Sequence, residues 1–349
     1  MQAIVLPGPG EPFVMEERPD PKAGPGEAVA RVLACGSGLT IQHTRIGRNH
    51  GANYPIIIGH EITAEIVETG AGVNNLKVGD PVTCYFYLDC GHCKWCLNNR
   101  PTLCSNLAGH VGRQIDGGYA EYIKMPERNY IKIPESLDWM GRPAEVGVIA
   151  DALATPYKVI QRAQIVPIDT IAVIGAGGGL GIHMVMMAHW ARARVIAVDV
   201  VPEKLEKCRE IGASETVNAS DGKMVEALMD LTDGQGVDVV VDFVSNEKTL
   251  TDGVRSLGRG GRLATLGGGG AKIPFEAVGG ELSSKELNIM GSRYCTRQEV
   301  SDTLEIVARG DVWPLVTEKY GFNVGDAELV HERLEKGEVM GRAAIMVAG

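Results

Sequence analysis

The chain has 349 residues, 34 Lys and Arg against 44 Asp and Glu, and a formal net charge of −10. That length points to two domains, since about 150 residues is a usual domain size, and a cleft is expected between them. An acidic balance without any basic run argues against a nucleic-acid partner, and no stretch of about 18 apolar residues is available to span a membrane.

Gln2-Ala3-Ile4-Val5-Leu6 reads as a strand stopped by Pro7-Gly8-Pro9-Gly10. With neither a basic n-region nor a long apolar h-region there, no signal peptide is expected. From Ala28 to about Ile133, β-type runs at Ala28 to Leu33, Ile62 to Glu68, Pro81 to Phe86 and Tyr119 to Lys124 are separated by Gly, Pro and Asn clusters. This is the texture of an all-β unit with long loops.

Residues with metal-ligand chemistry stand inside that unit. Cys35 ends the first run and His60 follows Ile56-Ile57-Ile58-Gly59; one thiolate and one imidazole are half of a catalytic zinc site. Cys90, Cys93, Cys96 and Cys104 form a C-x2-C-x2-C-x7-C run, whose spacing predicts a closed four-thiolate structural zinc in a lobe over about residues 89–106. A redox dithiol on one pair would leave the other two thiols without a role. Cys84, Cys208 and Cys295 are an odd remainder, which fits a reducing compartment rather than a disulfide framework, and a cytoplasmic location is expected.

The open site needs a third ligand from elsewhere, and Asp151 is the conspicuous candidate because it interrupts the apolar stretch from Val146 to Ala154. A bare carboxylate buried there would cost several kcal/mol or a large pKa shift, which a dication would remove. Taken singly, Cys35 could be a small buried hydrophobe, His60 a hydrogen-bonded core histidine and Asp151 a helix cap.

After Pro167-Ile168-Asp169 strands alternate with helical segments, the signature of a parallel sheet built from βαβ units. Strands are expected at Thr170 to Ile174, Arg194 to Asp199, Glu215 to Asn218, Val237 to Asp242 and Gly261 to Leu266, with helices near Leu180, Pro202, Lys223 and Lys248, then a loop run at 267–270. A helix from Val300 to Ala308 and a closing strand from Arg342 to Val347 break that rhythm, so the tail is expected to rejoin the first domain.

The strand ending at Ile174 runs into Gly175-Ala176-Gly177-Gly178-Gly179-Leu180-Gly181 and then a helix-compatible stretch. Such a turn lets the backbone approach a pyrophosphate, whose charge meets the free N–H groups of the first helical turn. Ala176, Gly178 and Gly181 fit an A-x-G-x-x-G register, and Asp199, 18 residues after Gly181, closes the next strand. A carboxylate there can hold ribose hydroxyls and repel a 2′-phosphate, which favours NAD(H) over NADP(H). The alternative is a structural turn with a solvated aspartate.

Together these residues resemble the zinc-containing medium-chain alcohol dehydrogenase family. The likeness is carried by Cys35 with Ser37, Gly59-His60-Glu61, Val78 to Val82, the four-cysteine lobe, Gly117 to Tyr122, the glycine turn with Asp199, Gly260-Gly261-Arg262 and Gly341-Arg342. It implies an α/β protein: a GroES-like β-barrel catalytic domain over 1–155 and 295–349, and a Rossmann doubly wound parallel sheet domain over 156–294. It also implies two zinc ions per chain, NAD(H), a small alcohol or carbonyl substrate and a homodimer or homotetramer.

Carried over by position, Cys35, His60 and Asp151 match the catalytic zinc ligands, Glu61 a transient ligand, Ser37 the hydroxyl that accepts the alcohol proton, and Lys204 a basic residue near the adenosine ribose. The family motif after its cysteine, C-x-[ST]-D-x-H, is broken here at Gly38 and Thr40, leaving Thr40 as a candidate where a relay histidine is usual; His43 lies nearby out of register. The activity implied is reversible hydride transfer between NAD(H) and an alcohol, aldehyde or ketone. Its rivals are a metal-independent enoyl or quinone reductase of the same superfamily and a non-enzymatic dinucleotide or zinc sensor. Arg45, Arg48 and Arg113, in the loops that would shape the substrate pocket, are expected to face water.

Overall fold

A computed structural model describes residues 1–48, 51–267 and 275–348; residues 268–270 of the expected loop run lie outside them. The chain divides into two compact units, Met1–Ala154 with Cys295–Gly349, and Thr155–Tyr294. No helix of the described residues is long and apolar enough to cross a membrane.

The first unit holds β1 (Gln2–Leu6), β2 (Val14–Glu17), β3 (Glu27–Ser37), β4 (Ile56–Ile57), β5 (Glu61–Thr69), β6 (Pro81–Cys84), β7 (Tyr122–Pro126) and β8 (Tyr130–Lys132). The second holds β9 (Thr170–Ile174), β10 (Arg194–Asp199), β11 (Glu215–Asn218), β12 (Val237–Asp242), β13 (Leu257–Thr265) and β14 (Asn288–Gly291); β15 (Val316–Gly321) and β16 (Arg342–Met346) then return to the first.

β3 organises the first unit. Its 11 residues pair with β5 along one edge, while the other edge is shared between β7, over Glu27 to Arg31, and β16, over Ala34 to Ser37. The resulting sheet runs β15-β16-β3-β5-β6-β8, with β1, β2 and β4 in a separate three-stranded sheet. Register matters because side chains alternate between faces with period two, and directly paired residues share a face.

In the second unit the order is β11-β10-β9-β12-β13-β14, all parallel, so the sheet reverses direction of growth at β9, as in a doubly wound dinucleotide fold. The central strands β9, β10 and β12 are largely buried β-branched runs, as strands covered on both faces are: Ile174, Ile196, Val240 and Leu263 pack with Leu228 and Val254 in one core. Each such side chain contributes about 1.5–3 kcal/mol on burial.

Candidate active site and cofactor turn

His60 closes the approach to β5, which Glu61 begins. Helix Pro143–Val148 lies directly over this point: a Cβ on Gly147 would sit 2.9 Å from the Glu61 carbonyl oxygen, so only glycine permits the approach. The helix then widens into a π-type turn over Ile149–Leu153 before resuming at Ala154. Such turns disrupt regular helix bonding and recur at functional sites; this one carries Asp151, whose Oδ2 stands 3.6 Å from His60 Nε2. From β16, an Nη of Arg342 reaches Glu61 Oε1 at 2.8 Å and Asp151 Oδ2 at 3.5 Å.

One ligand atom each from His60, Glu61 and Asp151 lies within 4.8 Å of the others, and all three residues are buried. Burial lifts Glu61 to about 8 even though the Arg342 guanidinium pulls the other way, and its Oε2 has no hydrogen-bond partner among the described residues. Burial also lowers His60, against the opposing pull of Asp151, so the imidazole is neutral and able to ligate. The Phe86 ring packs on His60 with centroids 4.2 Å apart. A neutral imidazole, two carboxyls and an orphaned buried oxygen suit a divalent cation held by nitrogen and oxygen.

Cys35 does not join them. It pairs with Ile62 and Ile345, while its neighbour Gly36 pairs with Glu61, so alternation turns the thiol to the opposite face of the sheet. Its Sγ lies against Gly59 and Gly118, and burial holds the thiol well above its usual range. Ser37 shares that face, bonded to the Tyr119 hydroxyl at 2.5 Å, and Tyr119 bonds onward to His331 Nε2 at 3.1 Å. Neither the expected thiolate ligand nor the expected proton acceptor therefore stands with His60 and Asp151.

The positions that do face Glu61 and Arg342 are glycines, Gly36 in β3 and Gly38 just after it. A Cβ on Gly36 would meet Glu61 Oε2 at 2.3 Å, and one on Gly38 would meet Arg342 Nη1 at 2.7 Å. Beginning the C-x-[ST]-D-x-H motif at Gly38 rather than Cys35 puts Thr40 in the hydroxyl place and His43 in the imidazole place, both on helix Leu39–Arg45. The cysteine is then what this chain lacks. Arg342 had signalled itself only as half of a Gly-Arg pair near the end, and nothing in the sequence tied it to Asp151. Glu145, a carboxyl on helix Pro143–Val148, is engaged by Lys319 at 2.9 Å.

The four lobe cysteines do come together. Sγ separations of 3.5 Å for Cys93–Cys96, 3.9 Å for Cys93–Cys104 and 4.0 Å for Cys90–Cys96 match the edge of about 3.8 Å that zinc–sulfur bonds of about 2.3 Å give a tetrahedron. Backbone N–H groups of Cys96 and Ser105 bring Cys93 down to about 5, toward the thiolate a metal needs.

In the second unit the glycine turn follows β9 and leads into helix Gly181–Trp190. Gly175 has φ +74°, and a Cβ on Gly181 would lie 2.0 Å from the Gly175 carbonyl oxygen, which is the close strand-to-helix packing such turns require. Asp199 ends β10; its Oδ2 accepts the Gly177 N–H at 2.8 Å, and its Oδ1 accepts from Val200 at 2.8 Å and Val201 at 3.2 Å. Lys204 is brought to the same place, its stem against Gly177. Ala176, Gly178, Gly179 and Leu180 complete the turn between them.

Family models described as "Alcohol dehydrogenase GroES-like domain" and "Zinc-binding dehydrogenase" match residues 24–135 and 179–309. An alcohol dehydrogenase of Geobacillus stearothermophilus is 32% identical over 351 residues, 99% of this chain and 98% of that protein. An NAD-dependent alcohol dehydrogenase of Sulfolobus acidocaldarius is 30% identical, covering 99% and 100%, and an acryloyl-coenzyme A reductase of Sulfurisphaera tokodaii is also 30% identical, covering 90% and 91%. Among solved structures, the alcohol dehydrogenase of Aeropyrum pernix superposes with a TM-score of 0.89 at 32% identity, covering 99% and 100%.

Proposed function

Because the chain belongs to the zinc-binding alcohol dehydrogenase family with a GroES-like domain, we propose that it is an NAD(H)-dependent oxidoreductase transferring hydride reversibly between the nicotinamide and an alcohol, aldehyde or ketone. The buried His60, Glu61 and Asp151 group carries this reading. A divalent cation held there would supply Lewis acidity toward a substrate oxygen. The chain's own contribution is to keep His60 neutral, to present Asp151 from the π-type turn, to exclude water with Phe86, and to neutralise the carboxyls with Arg342. NAD(H) rather than NADP(H) is supported by Asp199 at the glycine turn and by the names of relatives such as the Sulfolobus protein.

The test is metal stoichiometry with turnover. Two metal equivalents per chain and alcohol-dependent NADH formation are expected, with Asp151→Asn losing one equivalent and most of the activity. An unchanged metal content in that variant would remove Asp151 from the ligand set.

A second reading is favoured by the missing thiolate and by Arg342 at the carboxyls: NADH-dependent reduction of an activated C=C bond, such as an enoyl thioester, without a second metal. One metal equivalent, retained by the lobe, with NADH oxidised by an enoyl thioester and by no simple ketone, would decide for it. We place the protein in the cytoplasm, in keeping with cysteines that are all free thiols, as a homodimer or homotetramer, which light scattering of the purified protein tests.

A further inference from the structure

The π-type turn that presents Asp151 is gripped from two sides. In front, Gly147 lets helix Pro143–Val148 lie on β5: a Cβ there would be 3.0 Å from the Thr63 nitrogen as well as 2.9 Å from the Glu61 carbonyl oxygen, and the Thr63 hydroxyl donates to the Pro143 carbonyl at 2.7 Å. Behind, helix Arg297–Ala308 packs on Ile149–Leu153. From the residue before that helix's cap, Cys295 sends its Sγ to the Ala150 carbonyl at 3.3 Å.

Cys295 is itself held firmly. Its carbonyl accepts from the Tyr85 hydroxyl at 3.0 Å, Thr296 beside it caps the helix reciprocally with Glu299, and the residue is fully buried. Widening a helix disrupts its regular ladder, so carbonyls in the widened turn draw on partners outside it. The carbonyl that Cys295 holds belongs to the residue directly before Asp151. A carbonyl only accepts, so the thiol is the donor here; S–H is a weak donor, but no solvent reaches this one to compete. Asp151 has little latitude, since its Oδ2 stands 3.6 Å from His60 Nε2 and 3.5 Å from an Nη of Arg342, and a small rotation of the turn would change both separations.

We propose that Cys295 is a positioning residue: its thiol, by holding the Ala150 carbonyl, fixes the π-type turn in the setting that presents Asp151 to His60 and Arg342. This rests on the reading that Asp151 belongs to the reacting centre.

The test uses the full-length protein as purified, with its metal content assayed, and compares Cys295→Ala and Cys295→Val, which lack a donor, with Cys295→Ser, which keeps one. In crystal structures of the two donorless variants the Asp151–His60 separation is expected to change by about 0.5 Å or more, and kcat to fall about fivefold or more while KM for NADH stays the same. Cys295→Ser should leave Asp151 in place and keep about half or more of the wild-type kcat. Because Val fills the space that Ala empties, a shift in both variants separates the lost bond from a change of volume. An unmoved Asp151 in both, or a Cys295→Ser protein as impaired as Cys295→Ala, overturns the assignment. Displacement of Asp151 in the variants, with no turnover of any carbonyl or enoyl compound by the wild type, would sink the proposed activity and leave the positioning role standing; wild-type turnover with Asp151 unmoved in both variants would do the reverse.

Discussion

Cys35 has the chemistry of a zinc ligand and the wrong address. Ligand type is legible in a sequence, but the face a strand residue occupies depends on its pairing, and a shift of one residue exchanges the two faces. Here β3 pairs Cys35 with Ile62 and Ile345 and sends Gly36 to Glu61, while Gly38 just beyond the strand meets Arg342. The consequence is a contrast between variants. Cys35→Ala should retain all of the wild-type metal and lose only about 1–2 kcal/mol of stability for a small buried side chain, whereas Asp151→Asn loses a metal equivalent. Metal analysis of both proteins after identical dialysis checks this; a metal deficit in Cys35→Ala would return the thiol to the ligand set.

At the level of elements, legibility followed burial. β9, β10 and β12 coincide with the apolar runs read from the sequence, because strands covered on both faces leave nearly uninterrupted β-branched stretches; β11, at the sheet edge with only Val217 buried, also falls where a strand was expected. β15 escaped notice: its burial alternates between half-buried and exposed, and Glu318 and Lys319 give it the charged look of a loop, a common way of protecting a sheet edge. The π-type turn at Asp151 was equally hidden, since the run from Val146 to Ala154 has no periodicity from which a locally widened helix could be read.

Helix Val324–Glu335 carries a consequence of its own through His331, which is fully buried. Its Nδ1 donates to Gln42 Oε1 at 2.7 Å and its Nε2 accepts from Tyr119; protonation would turn that acceptor into a donor facing a hydroxyl. Burial, aided by Arg45, lowers His331 to about 3, whereas the unfolded chain should titrate near 6.5. The unfolded state therefore takes up the proton first, so this contribution is whole above about pH 6.5 and is lost as pH falls toward about 3. The slope is about 1.4 kcal/mol per pH unit, or roughly 2 kcal/mol between pH 6.5 and 5. Urea unfolding at those two pH values should show that loss in the wild type and a flatter response in His331→Gln. Parallel acid limbs for the two proteins would assign the sensitivity to other groups.

For the whole molecule, the eight cysteines fall into two populations. Cys35, Cys84, Cys208 and Cys295 are buried, while the lobe thiols are partly exposed. Burial pushes Cys208 up to about 12 and Cys84 higher still, whereas Cys93 is brought down to about 5. The lobe has little else to hold it: Leu97 is 74% and Leu103 38% exposed, so a bound metal would replace the apolar core that the segment does not build. The rest of the first unit does not depend on it, because β3, β5 and β16 pair with one another outside the lobe. Metal removal should accordingly be a local event. An aromatic disulfide reagent is expected to find almost no reactive thiols in the metal-loaded protein, four after treatment with a strong chelator, with Cys93 leading, and all eight only in denaturant. Because only accessible thiolates react and the other four cysteines are buried, the steps should be separated widely in rate. If chelation instead exposed eight thiols in one phase, with loss of the far-ultraviolet circular dichroism, the lobe would be an integral support of the fold rather than a metal-stapled appendage to it.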